Sequence, residues 1–178
     1  VIAEITMENH TAEDQDVWIN LLLAQVSDNE AQLKKNAGTV KAHVPAGGTA
    51  VARTQFMVEQ AKIWDIDSPN LYQVTAQLME YRPAKDEIPD DSKVLDCEQT
   101  NFGIRTISVD AKNGFMLNGR TVHLKGGCVH HDNGILGAAS FRDSEYRKVK
   151  LHKDNGYNAL RFAHNPVSTD MLDACDRL

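Results

Sequence analysis

The sequence has few cysteines, and their arrangement does not fit two classes of small domain. Its 178 residues contain three cysteines, Cys97, Cys128 and Cys175, and no two of them form a Cys-x-x-Cys pair. A zinc ribbon needs cysteines paired at short spacing, and a disulfide framework usually needs an even number. Neither class fits this chain. We predict that Cys128 is a small buried residue rather than a nucleophile.

Long apolar runs and basic clusters are also missing. No apolar run approaches the roughly 20 residues of a membrane helix, and the N-terminus lacks the pattern of a signal peptide. The net charge is −6, and an acidic balance without a basic face argues against nucleic acid and anionic membranes as partners. The chain begins at Val1, so we expect a piece of a longer protein whose compartment, cytoplasmic or periplasmic, stays open.

The composition is that of a folded protein. Hydrophobic residues make up 42% of the chain and charged residues 25%, which is enough to form a buried core. The length allows one large domain or two small ones.

From Val1 to about Gly103 the pattern predicts β-strands. Apolar and polar residues alternate in five segments, and a period of two is typical of a strand with one buried face. The five predicted faces are Val1, Ala3, Ile5 and Met7; Val17, Ile19, Leu21 and Leu23; Val40, Ala42 and Val44; Ala50, Ala52, Thr54, Phe56 and Val58; and Tyr72, Val74, Ala76 and Leu78. Turn-forming residues separate them, and the polar, proline-containing run 82–92 predicts an exposed loop. We predict an antiparallel β-sandwich of the immunoglobulin type.

After Gly103 the pattern changes to strands that alternate with helices. Asn118-Gly119 between apolar residues predicts a two-residue hairpin. Short apolar segments at 124–129 and 158–162 predict two strands. Because helices are predicted after both, the strands should be parallel and covered by a helical layer, as in two β/α units.

The helix limits follow from local signals. We predict that Asp143 caps the first helix and that Gly156 ends it in the left-handed conformation. Ser168 is placed to cap the second. Its predicted inward residues are Met171, Leu172, Cys175 and Leu178.

Polar side chains follow both predicted parallel strands. His130 and Asp132 end the first strand, and Arg161, His164 and Asn165 end the second. Because the carboxyl ends of parallel strands meet at one edge, all five should line the same pocket. A carboxylate, imidazoles and an amide suit a polyhydroxylated ligand, since they offer both donors and acceptors. Arg161 could also keep a catalytic carboxylate ionised.

Other interpretations of these residues stay open. Each histidine could be a strand-end residue without a ligand, and Arg161 could be a structural ion-pair partner. A divalent metal site is a further alternative, built from His130, His131, Asp132 and His164. The presence of two polar clusters on consecutive strand ends favours a sugar site.

Several short motifs also occur in a characteristic order. They are Phe115-x-Leu117-Asn118-Gly119, Leu124-Lys125-Gly126, His130-x-Asp132, Gly156-x-Asn158-Ala159-x-Arg161-x-x-His164-Asn165-Pro166 and Asp173-x-Cys175-Asp176. In this order they resemble the family 2 glycoside hydrolases, which include β-galactosidases, β-glucuronidases and β-mannosidases. The segments Ile63–Tyr72 and Phe102–Arg105 resemble the end of that family's immunoglobulin-like domain. The resemblance covers nearly the whole chain and is strong from Trp64 onward.

This resemblance implies a retaining β-glycosidase in which an immunoglobulin-like sandwich, residues 1–107, leads into a (β/α)₈ barrel. Residues 108–178 would be the first two β/α units of that barrel. One glutamate would act as acid and base and a second as nucleophile, about 5 to 5.5 Å apart.

The resemblance also implies roles for individual residues. His130 and His164 would contact the sugar, Asp132 would accept hydrogen bonds from its hydroxyls, and Arg161 would support the nucleophile. Asn165 lies where the family varies. Ala163 stands where we expect serine in relatives.

Both catalytic glutamates of the family lie on later strands, so we expect them beyond Leu178 and expect this chain to be inactive by itself. The parent enzyme would be a β-galactosidase, with a carbohydrate substrate and its own remaining domains as partners. Uncovered strand edges could also pair with a second copy in a homo-oligomer. No cofactor is implied, although the parent enzyme could hold a divalent or monovalent cation. A non-catalytic sandwich that binds carbohydrate or packs against other domains is the alternative.

Overall fold

A computed structural model of the chain describes residues 1–27, 30–31, 35–82, 88 and 92–178. Most of the predicted loop at 82–92 lies outside these described residues. The described chain forms two compact units that are not consecutive in sequence. The first contains Val1–Ala61 and Tyr72–Phe102, and the second contains Lys62–Leu71 and Gly103–Leu178.

In chain order, the strands within the described residues are β1 (Ile2–Glu8), β2 (Gln15–Ser27), β3 (Glu30–Ala31), β4 (Lys35–Val44), β5 (Thr49–Gln55), β6 (Trp64–Asp65), β7 (Ser68–Pro69), β8 (Leu71–Glu80), β9 (Val94–Phe102), β10 (Ile107–Asp110), β11 (Gly114–Leu117), β12 (Arg120–Thr121), β13 (Gly126–Val129) and β14 (Ala159–Phe162). The helices are α1 (Arg142–Asp154) and α2 (Thr169–Arg177), and a turn of 3₁₀ helix covers Gly134–Leu136. Neither α1 nor α2 is long and apolar enough to cross a membrane.

The first unit consists of two antiparallel sheets around one core. Strand β1 pairs with β5, while β2 pairs with β3, β4 and β8, and β8 pairs with β9. The buried core residues are Met7, Val17, Ile19, Leu21, Val44, Ala52 and Phe56. All five predicted apolar faces contribute residues to this core or pack against it, so the period-two prediction is confirmed. Each fully buried Leu or Ile contributes roughly 1.5–3 kcal/mol of burial free energy.

The second unit contains a two-stranded and a three-stranded antiparallel sheet before its helices. Strands β6 and β7 pair antiparallel, and β11 pairs with both β10 and β12. In the β11–β12 pair Leu117 lies opposite Arg120, so Asn118 and Gly119 form the turn, with φ angles of 53° and 76°. Positive φ at both positions is what the type I′ two-residue hairpin turn requires, and the predicted hairpin is confirmed.

Helix α1 follows β13 and helix α2 follows β14, and the two strands pair in parallel. A second core forms here around Val149, Met171 and Ala174. Gly156 ends the α1 region with φ of 83°. Ser168 caps α2 by accepting a hydrogen bond of 3.2 Å from the amide of Met171. Both of these predicted helix signals are confirmed.

Three local predictions were wrong. Helix α1 starts after Phe141, so Asp143 lies in its first turn and does not cap it. Leu172 is 47% exposed, because the inward stripe of α2 falls on Met171, Ala174, Cys175 and Leu178, spaced as i, i+3, i+4 and i+7. Cys128 is exposed. It alternates with the half-buried Gly127 and Val129, so its side chain lies on the strand face away from the helices.

Candidate functional site

The parallel pairing of β13 with β14 places the candidate residues at one edge of this small sheet. Val129 lies opposite Phe162, and the pairing continues one step further because Ala163 N donates to Val129 O at 3.1 Å. His130 and His164 therefore follow the carboxyl ends of neighbouring strands. This is the edge at which the sequence predicts the site.

The structure brings two of the predicted site residues together. The ring centroids of His130 and His164 are 6.4 Å apart, and the rings are oriented edge to face. Both side chains are exposed, so their nitrogen atoms can donate to or accept from a ligand. The Ala163–His164 peptide bond is cis.

Asp132 lies close to His130 along the chain but is held by its own turn. Its amide donates to His130 O at 2.8 Å, and its Oδ1 accepts from the amide of Gly134 at 3.3 Å. Within the described residues, no hydrogen bond or ion pair joins its carboxylate to His130 or His164. The exposed carboxylate of Asp132 thus keeps acceptor capacity for a ligand.

Arg161 lies one residue before the end of β14, directly opposite Cys128 in the parallel register. Its Nη1 donates to Cys128 Sγ at 3.3 Å. The side chain is exposed and forms no ion pair with any carboxylate of the described residues. Its charge is therefore available to an anionic group on the same face of the strand pair.

Asn165 lines a small cavity beneath the histidines. The other walls come from Val129, His130, His131, Glu145, Phe162, Ala163, Val167 and Met171. Its volume is about 10 Å³, close to the minimum for a single water molecule. The cavity therefore has no room for a ligand larger than one water molecule.

Glu145 was missed by the sequence analysis, although it is only 1% exposed. Its Oε1 accepts hydrogen bonds from Asn133 Nδ2 at 2.9 Å and from Ser140 Oγ at 2.7 Å. Its Oε2 lies 3.6 Å from the ammonium group of Lys148. A signal was present in the sequence: Glu145 precedes the inward-facing Val149 by four residues, so both share one face of α1.

Burial disfavours the charged form of Glu145. The hydrogen bonds from Asn133 and Ser140 and the positive charge of Lys148 outweigh that effect, so the pKa of Glu145 lies below its ordinary value. The carboxylate is thus ionised at neutral pH, in the wall of the cavity that it shares with His130 and Asn165.

A metal centre is not supported by this arrangement. Across the described parts of the chain, no group of three or more His, Cys, Asp or Glu side chains is placed to hold a metal ion. The alternative built from His130, His131, Asp132 and His164 therefore has no geometric support.

Family models match almost the whole chain. Residues 1–105 match "Glycosyl hydrolases family 2", and residues 107–178 match "Glycosyl hydrolases family 2, TIM barrel domain". The chain belongs to glycosyl hydrolase family 2. The resemblance of its motifs to this family is confirmed.

Curated relatives in family 2 carry two kinds of name. A β-galactosidase of Bacteroides ovatus is 34% identical over 97% of this chain, and a β-glucuronidase of Bacteroides fragilis is 27% identical over 99% of it. The chain spans only 19% and 23% of their lengths.

Solved family 2 structures have the same fold over this region. A member from Bacteroides cellulosilyticus is 34% identical with a TM-score of 0.70, covering 98% of this chain and 23% of its own. A β-glucuronidase of Bacteroides uniformis has a TM-score of 0.81 over 99% of this chain and 20% of its own. At 24% identity, this second likeness is one of fold alone.

Proposed function

We propose that this chain is part of a retaining β-glycosidase of family 2, acting as a β-galactosidase on terminal β-linked sugars. The observation that carries the proposal is the proximity of His130 and His164 at the shared edge of parallel β13 and β14. The 34% identical relative named as a β-galactosidase supports the choice of galactose.

The fold supports the same assignment. We propose that residues 1–107 form an immunoglobulin-like sandwich and that 108–178 are the first two β/α units of a barrel. The two sheets around one core support the first part, and the β13-α1-β14-α2 order supports the second. The first family-model match ends at residue 105 and the second begins at residue 107, which supports this boundary. The compact second unit differs from it slightly, because it begins at Gly103 and also includes Lys62–Leu71.

In this enzyme the residues of the chain would bind sugar and would not form or break bonds. His130, His164 and Asn165 would hydrogen-bond to the glycosyl unit, and Asp132 would accept hydrogen bonds from two hydroxyls. Arg161 would keep the nucleophilic glutamate ionised, because a nearby guanidinium favours the carboxylate form. Both catalytic glutamates would belong to the longer parent protein, which the small covered share of the relatives supports.

The test uses the complete parent protein and a panel of nitrophenyl β-glycosides. Asp132→Asn should lower kcat/KM for the preferred glycoside by about 10- to 100-fold, because a hydrogen bond to a charged group contributes about 1.5–3 kcal/mol. His10→Ala is the control, since His10 is an exposed histidine of the first unit.

Two outcomes would contradict the proposal. The first is a wild-type parent protein that binds sugars without hydrolysing any glycoside of the panel, which would favour the non-catalytic module. The second is Asp132→Asn with unchanged kinetics. The 178-residue chain alone should show no turnover, and activity that persists after removal of contaminating enzymes would contradict the placement of the glutamates.

A further inference from the structure

Glu145 is buried on α1, and none of the roles proposed above uses it. A buried carboxylate lowers stability unless donors around it compensate for the loss of water. Its two hydrogen-bond donors, Asn133 and Ser140, lie at the two ends of the segment 133–140. This segment connects the strand-end residues to α1. One carboxylate oxygen thus holds both ends of the connection.

The second carboxylate oxygen of Glu145 is linked to the end of β13 through Lys148. Lys148 Nζ lies 3.6 Å from Glu145 Oε2 and donates to the backbone oxygen of His130 at 3.3 Å. Asn133 also donates to Ala139 O at 2.8 Å, which closes the connecting segment on itself. The backbone of His130, the side chain of Asn133 and the hydroxyl of Ser140 are therefore all linked to this carboxylate.

Glu145 also lies directly beneath the candidate site. It lines the small cavity together with His130, His131 and Asn165. Its Oε2 has no hydrogen-bond partner within the described residues. A change of charge or volume at Glu145 would therefore alter the surroundings of His130, His131 and Asn165.

We propose that Glu145 is the positioning residue of this site. Its carboxylate, tied to Asn133, Ser140 and Lys148, fixes the segment from His130 to Ser140, and so fixes the direction in which His130 and Asp132 face the sugar. The role in sugar binding rests on the proposed function. The mechanical link between Glu145 and the segment does not.

The experiment compares two substitutions at Glu145 in the complete parent protein. Glu145→Leu keeps the approximate volume but removes both acceptor oxygens, and Glu145→Gln restores one acceptor without the charge. Asp154→Asn is the matched control on the same helix, since it removes only an exposed ion pair with Lys150. Hydrogen exchange of residues 130–140 and the separate values of KM and kcat are measured for each variant.

Glu145→Leu should quicken exchange in 130–140 more than elsewhere in 103–178. It should raise KM about 10-fold or more with a smaller change in kcat, because the sugar contacts are displaced while the reacting groups are not. Glu145→Gln should recover part of both losses, and Asp154→Asn should behave as wild type.

A folded Glu145→Leu protein with wild-type exchange and KM would overturn the proposal. So would a uniform rise in exchange across 103–178 with no change in KM, since that is the mark of a purely structural role. If Glu145→Leu does not fold, Lys148→Met tests the proposal instead, because it removes the donor to the backbone oxygen of His130. This variant should quicken exchange in 130–140, and unchanged exchange there would overturn the proposal. A parent protein without glycosidase activity refutes the proposed function, while the exchange data still decide the link through Glu145.

Discussion

The carboxylate of Asp65 accepts a hydrogen bond of 2.7 Å from the guanidinium of Arg120. Asn118 Nδ2 donates to the same oxygen at 3.2 Å and to the backbone oxygen of Trp64 at 2.9 Å. These bonds hold the β6–β7 hairpin against the β11–β12 turn within the second unit. The hydrogen bond from Arg120 is the main reason why the pKa of Asp65 lies below its ordinary value, although burial opposes it.

This lowered pKa predicts sensitivity to acid. Because the pKa is lower in the folded state, Asp65 stabilises the fold above its unfolded-state pKa, and that contribution is lost as the pH falls through the folded-state pKa. Asp65→Asn should therefore lower the free energy of unfolding at pH 7 by about 1 kcal/mol, a modest value because its partner Arg120 is exposed. It should also weaken the dependence of this free energy on acid pH. Urea unfolding at pH 7 and below pH 4 measures both effects. Asp67→Asn, an exposed neighbour, should change neither, and an unaltered acid dependence in Asp65→Asn would count against this assignment.

Gly126 should not tolerate a side chain. A Cβ atom there would lie 2.2 Å from the backbone oxygen of Ala159 on the neighbouring strand, and a backbone atom in a paired strand cannot move aside easily. Gly126→Ala should destabilise the second unit by about 3 kcal/mol or more, in the manner of an overpacked core.

Gly127→Ala provides the matched control. A Cβ at Gly127 would meet only Tyr157 Cε1, at 3.7 Å, which is an ordinary contact. Thermal unfolding of both variants checks the comparison. Equal melting temperatures for the two would show that β13 and β14 do not approach as closely as described.

Cys175 should react slowly with alkylating reagents. Burial, with the negative charges of Asp176 and Glu145, raises the pKa of its thiol to about 11. Only about one thiol in a thousand would then be ionised at pH 8, and the thiolate is the reactive form. Mass spectrometry after brief treatment with iodoacetamide should find Cys97 and Cys128, which are exposed, modified first. In concentrated urea the three rates should converge, and equal rates in the native protein would refute the expectation.

Ser168 should contribute to stability through its cap. Its hydroxyl oxygen accepts from the Met171 amide at 3.2 Å and lies 2.8 Å from Ser140 Oγ. Ser168→Ala should lower the free energy of unfolding by about 1 kcal/mol, because the amide at the start of α2 loses its partner. Chemical unfolding monitored by circular dichroism measures this. Thr169→Ala, one residue further on and exposed, should lower the free energy of unfolding much less. A larger loss in Thr169→Ala than in Ser168→Ala would exclude the cap as the cause.

Local sequence signals predicted most of the secondary structure. Alternation such as that of Val17, Ile19 and Leu21 follows directly from the strand repeat. The Asn118-Gly119 turn and the Ser168 cap depend on neighbouring residues only, so their chemistry is visible in the sequence.

The failures arise where a residue's environment is set by distant parts of the chain. Cys128 was predicted to be buried because its type favours burial, but which face of β13 receives the helices is decided by tertiary packing. Glu145 was overlooked because an acidic residue in the first turn of a helix is usually exposed there. Its partner Asn133 lies in an irregular segment whose path the sequence pattern does not define.

The sequence predicts at which edge of the sheet the candidate site lies, but it does not predict the side-chain contacts within the site. Parallel strands with helical connections bring His130 and His164 to one edge regardless of detail. The contact between Arg161 and Cys128 depends on the strand register, and the link from Lys148 to the His130 carbonyl depends on the rotation of α1. Neither can be derived from residue spacing alone.

The segment Lys62–Leu71 belongs to the second unit, and this limits how the protein can be truncated. The polypeptide passes between the units three times, at 61/62, 71/72 and 102/103, so no single proteolytic cut releases both of them whole. Expression of 108–178 by itself would leave behind Trp64, whose indole nitrogen donates to the backbone oxygen of Asp176 at 2.7 Å. Such a truncation would need the missing decapeptide supplied in trans, as a separate peptide, to restore that bond.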